Sequence, residues 1–182
     1  TNAIGVPENT LILGWNNRVF SIIQLLDYYV APGSSVTVVA EFPDVEVDLS
    51  SESLNLQQQT VRYSQGNPTE RRVLESIDLA KYDRVLVLCN HDLEPEQADA
   101  QTLITLLYLR DISDRQKYNF QVVTEILDLR NQALAQVTRP DDFVISEQIV
   151  SRLLAQVSEQ KSLNAVFSDL FDPEGSEIYI KP

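Results

Sequence analysis

The sequence predicts an α/β protein with a Rossmann-like, doubly wound and mostly parallel sheet. Short apolar runs of strand length alternate with longer segments in which apolar residues recur at every third or fourth position. Glycine and proline separate these segments, as at 31–33, where Gly33 follows a predicted helix. The β-branched run Ser35–Ala40 has the composition of a strand buried on both faces. Strands that alternate with helices favour a parallel sheet with right-handed crossovers.

The strands and helices of residues 1–145 follow from these patterns. The predicted strands are Thr10–Leu13, Ser35–Ala40, Gln59–Tyr63, Tyr82–Leu88, Phe120–Ile126 and Asp142–Ile145. The predicted helices are Arg18–Val30, one that ends at Ile77, Glu94–Gln116 and Asn131–Gln136. We expect Asn67 or Thr69 to cap the second helix, because a side-chain oxygen there accepts a free N-terminal N–H group. The acidic stretch Glu41–Leu56 has no clear pattern.

Residues 146–182 are predicted to form a second unit. Ser146–Ser158, with Ser146 as its N-cap, and Ser162–Phe171 are two amphipathic helices that form a hairpin, and Ser176–Ile180 begins a further strand. The apolar stripe of the hairpin needs a partner, either the sheet or another subunit. The candidate contact residues are Ile149, Leu153, Leu154, Val166, Phe167 and Leu170.

Charge and composition exclude several classes of function. The 182 residues include 14 basic and 27 acidic ones, which gives a net charge of −13. Such a chain repels phosphate backbones, so we expect no nucleic-acid partner. No apolar run reaches the roughly 18 residues of a membrane span, and the single cysteine, Cys89, forms no internal disulfide. Because the chain contains no methionine, we expect it to be a piece of a larger protein.

The turn after the first strand is the first candidate binding site. Dinucleotide-binding domains carry G-x-G-x-x-G there and place the pyrophosphate on the following helix. Here the register is Gly14-Trp15-Asn16-Asn17-Arg18-Val19, so only the first glycine is present. The turn either binds an anion through Gly14, Trp15 and Asn16 or is purely structural.

Acidic residues offer further candidates. Glu41 ends the second strand, where dinucleotide domains place the acid that bonds a ribose hydroxyl. The nearby turn Gly66-Asn67 completes the candidate ligand site. Clustered carboxylates also suit Ca²⁺, and Glu41, Asp44 and Asp92 are candidate metal ligands, although their spacing is not that of an EF-hand. A solvated strand end and helix start is the alternative for these acids.

The sequence shows no catalytic motif. His91 is the only histidine, and its neighbour Asp92 suggests proton transfer only if the two side chains face each other. Cys89 has the character of a core residue at a strand end. No Cys or His metal spacing and no phosphate-binding P-loop occur. We therefore expect a protein that is not an enzyme.

Several stretches together resemble one family, the Castor/Pollux-type channel proteins. The resemblance lies in the glycine-tryptophan turn, long helix, APGS break and acid-ended strand of Leu11–Asp44, and in the turn, helix and strand of Gln65–Leu88. It continues through Gln97–Ile112, Val122–Gln136 and the helices Ser146–Phe171, in the same order.

The resemblance implies a cytosolic RCK domain, a regulator of K⁺ conductance, with a helix-turn-helix crossover that pairs subunits in a tetrameric gating ring. It also implies a transmembrane pore in the parent chain and a location on the cytoplasmic side of a membrane. Related domains bind Ca²⁺ or nucleotides such as NAD or ATP at the mouth of the sheet, so these are the candidate cofactors.

Three hypotheses follow from the sequence. The first is a regulatory domain of a cation channel that senses a small ligand or ion and couples it to gating through subunit assembly. The second is a soluble NAD-dependent oxidoreductase or another nucleotide-binding Rossmann protein, supported by strand order and Glu41. The third is an assembly module that binds no ligand.

Overall fold

The computed structural model describes residues 5–41, 54–131, 133, 142–145, 151–152, 154–156, 158 and 163–172. Its strands are β1 (Asn9–Leu13), β2 (Ser34–Ala40), β3 (Gln59–Gln65), β4 (Arg84–Val87), β5 (Gln121–Ile126) and β6 (Asp142–Ile145). Its helices are α1 (Val19–Tyr29), α2 (Arg71–Ser76), α3 (Pro95–Gln116) and α4 (Leu163–Phe171). Two short 3₁₀ turns, Leu79–Lys81 and Leu129–Asn131, precede β4 and follow β5.

The strands form one six-stranded sheet in the order β3-β2-β1-β4-β5-β6. Every strand pair is parallel, and Leu13 at the end of β1 lies opposite Val39 of β2 and Val87 of β4. The predicted doubly wound α/β fold is therefore confirmed. The strand order reverses direction between β1 and β4, and in open α/β sheets the crevice at such a switch point is the usual ligand site.

The hydrophobic core lies on both faces of this sheet. Leu11 and Leu13 of β1 pack with α2 and α3 on one face, whereas Ile12 packs with Val19 and Ile23 of α1 on the other. Alternate residues of a strand point to opposite faces, so both neighbours must be apolar in a strand covered on each side. This requirement explains the continuous apolar run TLIL in the sequence.

The start of α2 differs from the prediction. Glu70 occupies the N-cap position, and no side chain caps this helix. The Asn67 carboxamide oxygen instead accepts the backbone N–H of Thr69 at 2.9 Å and its hydroxyl at 2.6 Å. The prediction of Asn67 or Thr69 as the cap was wrong because the two side chains stabilise a turn that precedes the helix.

The C-terminal helices are described in part. Residues 151–152, 154–156 and 158 are helical, and α4 matches the described part of the second predicted helix. Ser146, most of 131–136 and the strand predicted at 176–180 lie outside the described residues, so the crossover and the division at residue 145 remain predictions. Among the helices described, none is long and apolar enough to cross a membrane.

Candidate functional site

A cleft opens at the carboxyl ends of β1, β2 and β4, at the switch point of the sheet. Gly14 and Trp15 line it after β1, Glu41 after β2 and Asn90 after β4. The turn before α2 and one side of α3 complete the lining with Asn67, Pro68, Thr69, Gln101, Thr102 and Thr105. The cleft has a volume of about 70 Å³, well below the roughly 300–1,000 Å³ of typical cofactor sites.

Gly14 is required where the cleft meets the sheet. Its φ is +96°, and a Cβ atom there would lie 2.6 Å from the carbonyl oxygen of Leu88. The Gly14 N–H donates to the Val39 carbonyl at 3.0 Å. Only glycine tolerates both this backbone conformation and this approach, so the first turn is held tightly between the ends of β2 and β4.

Glu41 and Asn67 form the polar mouth of the cleft. The Asn67 amide nitrogen lies 3.3 Å from the Glu41 carboxylate, and Glu41 is exposed. Gly66 holds this mouth together through a 3.0 Å bond from its N–H to the Ala40 carbonyl. Among the described residues that line the cleft, Glu41 carries the only charge.

The structure thus brings Gly14, Trp15, Glu41 and Asn67 together at the cleft, whereas the candidates Gly66 and Asn16 do not line it. Gly66 packs against Val73, whose Cγ1 atom would lie 2.8 Å from an added Cβ, so its role is steric. Asn16 is buried behind the first turn and faces the end of β5.

Behind the first turn lies a group that we call the Glu125 cluster: Asn16, Arg18, His91, Glu125 and the backbone of Cys89. Glu125 is 7% exposed. One carboxylate oxygen accepts Arg18 Nη1 at 2.7 Å and lies 3.2 Å from His91 Nε2. The other accepts Asn16 Nδ2 at 3.1 Å and the Cys89 N–H at 3.3 Å. A buried carboxylate with this many donors is satisfied by the protein itself.

The condition for proton transfer between His91 and Asp92 is not met, because Nε2 of His91 faces Glu125 and the Asp92 N–H donates to Asn90 Oδ1 at 3.0 Å. Within the described residues no group of three or more His, Cys, Asp or Glu side chains could hold a metal ion. Asp44 lies outside them, so the metal set of Glu41, Asp44 and Asp92 stays a prediction.

Cys89 is a core residue, as its position at a strand end indicated. It is fully buried, and burial raises the pKa of its thiol from 9.0 to about 12. Its Sγ atom lies 3.1 Å from the Glu125 carbonyl oxygen and 3.2 Å from Thr102 Oγ1. A thiol in this environment is not a nucleophile at neutral pH.

Sequence reasoning missed Glu125 and the lining residues of α3. A usable signal for Glu125 existed, since an acid inside the strand Gln121–Ile126 must find donors if that strand is buried. For Gln101, Thr102 and Thr105 no signal existed, because small polar residues on a helix are ordinarily solvent-facing.

Nearly the whole chain is similar in sequence to known ion channels. Probable ion channel POLLUX of Arabidopsis thaliana is 33% identical in an alignment 211 positions long, which covers 97% of this chain and 26% of that protein. Ion channel CASTOR of Lotus japonicus is 31% identical in an alignment 209 positions long, which covers 96% of this chain and 24% of that protein. The chain is homologous to a segment of the Castor/Pollux-type ion channels. It spans about a quarter of the length of these relatives, and no protein-family model matches it.

Solved structures show the same fold as this Castor/Pollux homologue. The human SLO3 gating ring superimposes with a TM-score of 0.64 at 13% identity, covering 96% of this chain and 31% of that one. An NAD(P)-binding domain of an exopolyphosphatase-related protein from Archaeoglobus fulgidus gives 0.60 at 15%, covering 84% and 98%. The GsuK channel bound to NAD gives 0.56 at 17%, covering 82% and 23%. At these identities the likeness concerns the fold alone.

Proposed function

We propose that this chain is a regulatory domain of a Castor/Pollux-type cation channel, located on the cytoplasmic side of the membrane, and that it is not an enzyme. The observation that carries the proposal is the homology to ion channels along 97% of the chain. The fold shared with a gating ring supports it. In this proposal the parent chain supplies the transmembrane pore, and copies of the domain assemble into a ring.

The cleft at the switch point is the proposed ligand site of this domain. A ligand there contacts the ends of three strands and the side of α3, so it can stabilise one arrangement of these elements over another. If two ring geometries differ in that arrangement, the ligand shifts their populations by its difference in affinity. Such a shift is the proposed coupling between ligand and pore.

Binding to the isolated domain tests the ligand site. A ligand that binds only the folded state raises the melting temperature, because it adds roughly 2.7 kcal/mol at 100 times its Kd. We expect a rise with at least one of Ca²⁺, NAD, ATP or adenosine, and a smaller rise in Glu41→Gln than in the control Glu75→Gln, whose side chain pairs with Arg71 outside the cleft. If no compound shifts the melting temperature, the domain is an assembly module instead.

Cation flux tests the channel role. The parent protein, purified and reconstituted in vesicles, should conduct K⁺, and Glu41→Gln should displace the ligand concentration at half-maximal flux while Glu75→Gln leaves it unchanged. A parent protein that conducts no cation, or that oxidises a substrate with NAD, would contradict the proposal.

A further inference from the structure

We infer that Glu125 is a specificity-determining residue of the cleft: its carboxylate is the anion of the first turn, so this turn rejects a ligand diphosphate and the cleft takes hydroxylated ligands without phosphate. The inference rests on the proposed function, since it assumes that the cleft is a ligand site. It departs from what the fold alone suggests, because dinucleotide-binding domains place a pyrophosphate at this turn.

The first turn differs from a diphosphate-binding turn at its second glycine position. In the dinucleotide fingerprint the second glycine lets the backbone approach the pyrophosphate, and here that residue is Asn16. Its amide nitrogen donates to the Cys89 carbonyl at 2.9 Å and to Glu125, while its carbonyl oxygen accepts the Arg18 N–H at 3.0 Å. The polar atoms of this side chain are therefore engaged within the protein.

The positive charge of the turn is already neutralised. Arg18 is the basic residue of this turn and precedes α1 directly, and its guanidinium is 2.7 Å from Glu125. His91 Nε2 lies 3.2 Å from the same oxygen. A phosphate at this turn would have to compete with the Glu125 carboxylate for Arg18, and the burial of Glu125 strengthens that ion pair against screening by water and salt.

The rest of the cleft favours hydroxyl groups. Its described lining has one carboxylate, Glu41, and no basic side chain. The Glu41 carboxylate accepts a hydroxyl proton, and the adjacent Asn67 amide donates to a hydroxyl oxygen, so together they suit a vicinal diol. This pair lies at the strand end where ribose hydroxyls bind in dinucleotide domains, and nucleosides are therefore the test class.

Calorimetric titration of the domain with adenosine and ADP-ribose tests the inference, because the second ligand contains the first and adds a diphosphate. We expect the wild type to bind adenosine more tightly than ADP-ribose. Glu125→Gln should shift the ratio of the two affinities by about tenfold toward ADP-ribose with little change for adenosine. The control Glu75→Gln should leave the ratio unchanged.

A second variant, Arg18→Gln, tests the inference independently of Glu125→Gln. Arg18→Gln keeps the Glu125 carboxylate but takes away its cation, so ADP-ribose should bind more weakly than to the wild type while adenosine binding stays the same. Circular dichroism establishes that each variant is folded. A fold defect would weaken both ligands together and would not move their ratio in opposite directions in the two variants.

The inference is overturned by a wild type that binds ADP-ribose more tightly than adenosine, or by a ratio of affinities that Glu125→Gln leaves unchanged. If the wild type and Glu125→Gln bind neither ligand, the cleft is not a nucleoside site and the inference falls with that assumption. A melting-temperature rise with Ca²⁺ in that case would preserve the proposed ligand sensing, so the two failures are distinguishable.

Discussion

Arg18 Nη1 lies 2.7 Å from Glu125 Oε1, and this ion pair joins the start of the first helix to the end of the fifth strand across 107 residues of sequence. Arg18 is half exposed, whereas the Glu125 side chain is only 8% exposed. The charge of the buried Glu125 carboxylate is therefore stabilised by Arg18, by the Asn16 amide and by the Cys89 N–H. The Glu125 cluster therefore contributes to the stability of the fold as well as to the proposed ligand selectivity.

Glu125→Ala should lower the free energy of unfolding by about 3 kcal/mol, because it takes the acceptor from the Cys89 N–H and one of two acceptors from the buried Asn16 amide. Urea unfolding followed by circular dichroism measures the loss. Glu75→Ala, which removes an exposed ion pair of the same residue type, should stay within experimental error. Equal losses in the two variants would contradict the importance assigned to the Glu125 cluster.

Gly14→Ala should destabilise the domain by about 2 kcal/mol or more, since its Cβ would lie 2.6 Å from the Leu88 carbonyl oxygen at a φ of +96°. The matched control is Gly5→Ala, where the nearest atom to the new Cβ is 3.5 Å away. Thermal unfolding of both variants makes the comparison. A Gly14→Ala protein as stable as Gly5→Ala would mean that the first turn is not held as described.

Asp27→Ala should release the segment that leads into β3. The buried Asp27 carboxylate of α1 accepts the backbone N–H groups of Gln57 at 2.7 Å, Gln58 at 2.9 Å and Gln59 at 3.0 Å. Hydrogen bonds to a charged acceptor contribute about 1.5–3 kcal/mol each, so amide exchange at these three residues should accelerate by at least about tenfold. Gln24→Ala, an exposed change on the same helix, should leave their exchange unchanged.

Cys89 should not react with a thiol reagent at pH 8 in the folded protein and should react in denaturant. Burial raises the pKa of the thiol from 9.0 to about 12, so the reactive thiolate is only about one part in 10⁴ at this pH. Native labelling as fast as labelling in guanidinium chloride would contradict the packing around Sγ.

The raised pKa of Cys89 also makes the stability of the domain depend on pH in the alkaline range. The folded state holds the Cys89 proton up to about pH 12, whereas the unfolded thiol loses it near pH 9.0. Above that pH the unfolded state binds fewer protons, so the free energy of unfolding falls as the pH rises between these values. Burial of Tyr63, which raises its pKa from 10.0 to about 12, acts in the same direction. Urea titrations of wild type and Cys89→Ala should show a shallower decline in the variant.

Leu154→Glu and Val166→Glu should weaken self-association of the domain. The two side chains are 64% and 56% exposed, and both belong to the predicted subunit contact. Of the other predicted contact residues, Phe167 is partly buried. Ile149, Leu153 and the side chain of Leu170 lie outside the described residues. Light scattering over a range of protein concentrations measures the association. Ser158→Glu, an exposed polar position nearby, is the control. A wild type that stays monomeric at high concentration would count against this contact.

Local sequence patterns are enough to predict the fold class and several residues of the cleft. Hydrophobic periodicity is a local property, so the alternation of strands and helices is readable along the chain. The rule that parallel strands end at one edge places Gly14, Glu41 and Asn67 near one another, and all three line the cleft. The start of α2 was misread because Asn67 serves equally well as a helix cap or in a turn.

The polar contacts of the first turn follow from tertiary packing and are not visible in the sequence. Asn16 and Arg18 are ordinary turn residues in sequence, and Glu125 is a lone acid in an apolar strand. These three residues meet because β5 lies beside β4 and the end of β5 is next to the first turn. Hydrophobic periodicity does not specify this placement of β5. The same is true of Asp27, whose three backbone partners come from a different part of the chain. Buried polar groups must find donors or acceptors wherever the fold provides them, and those partners are therefore a property of the folded chain.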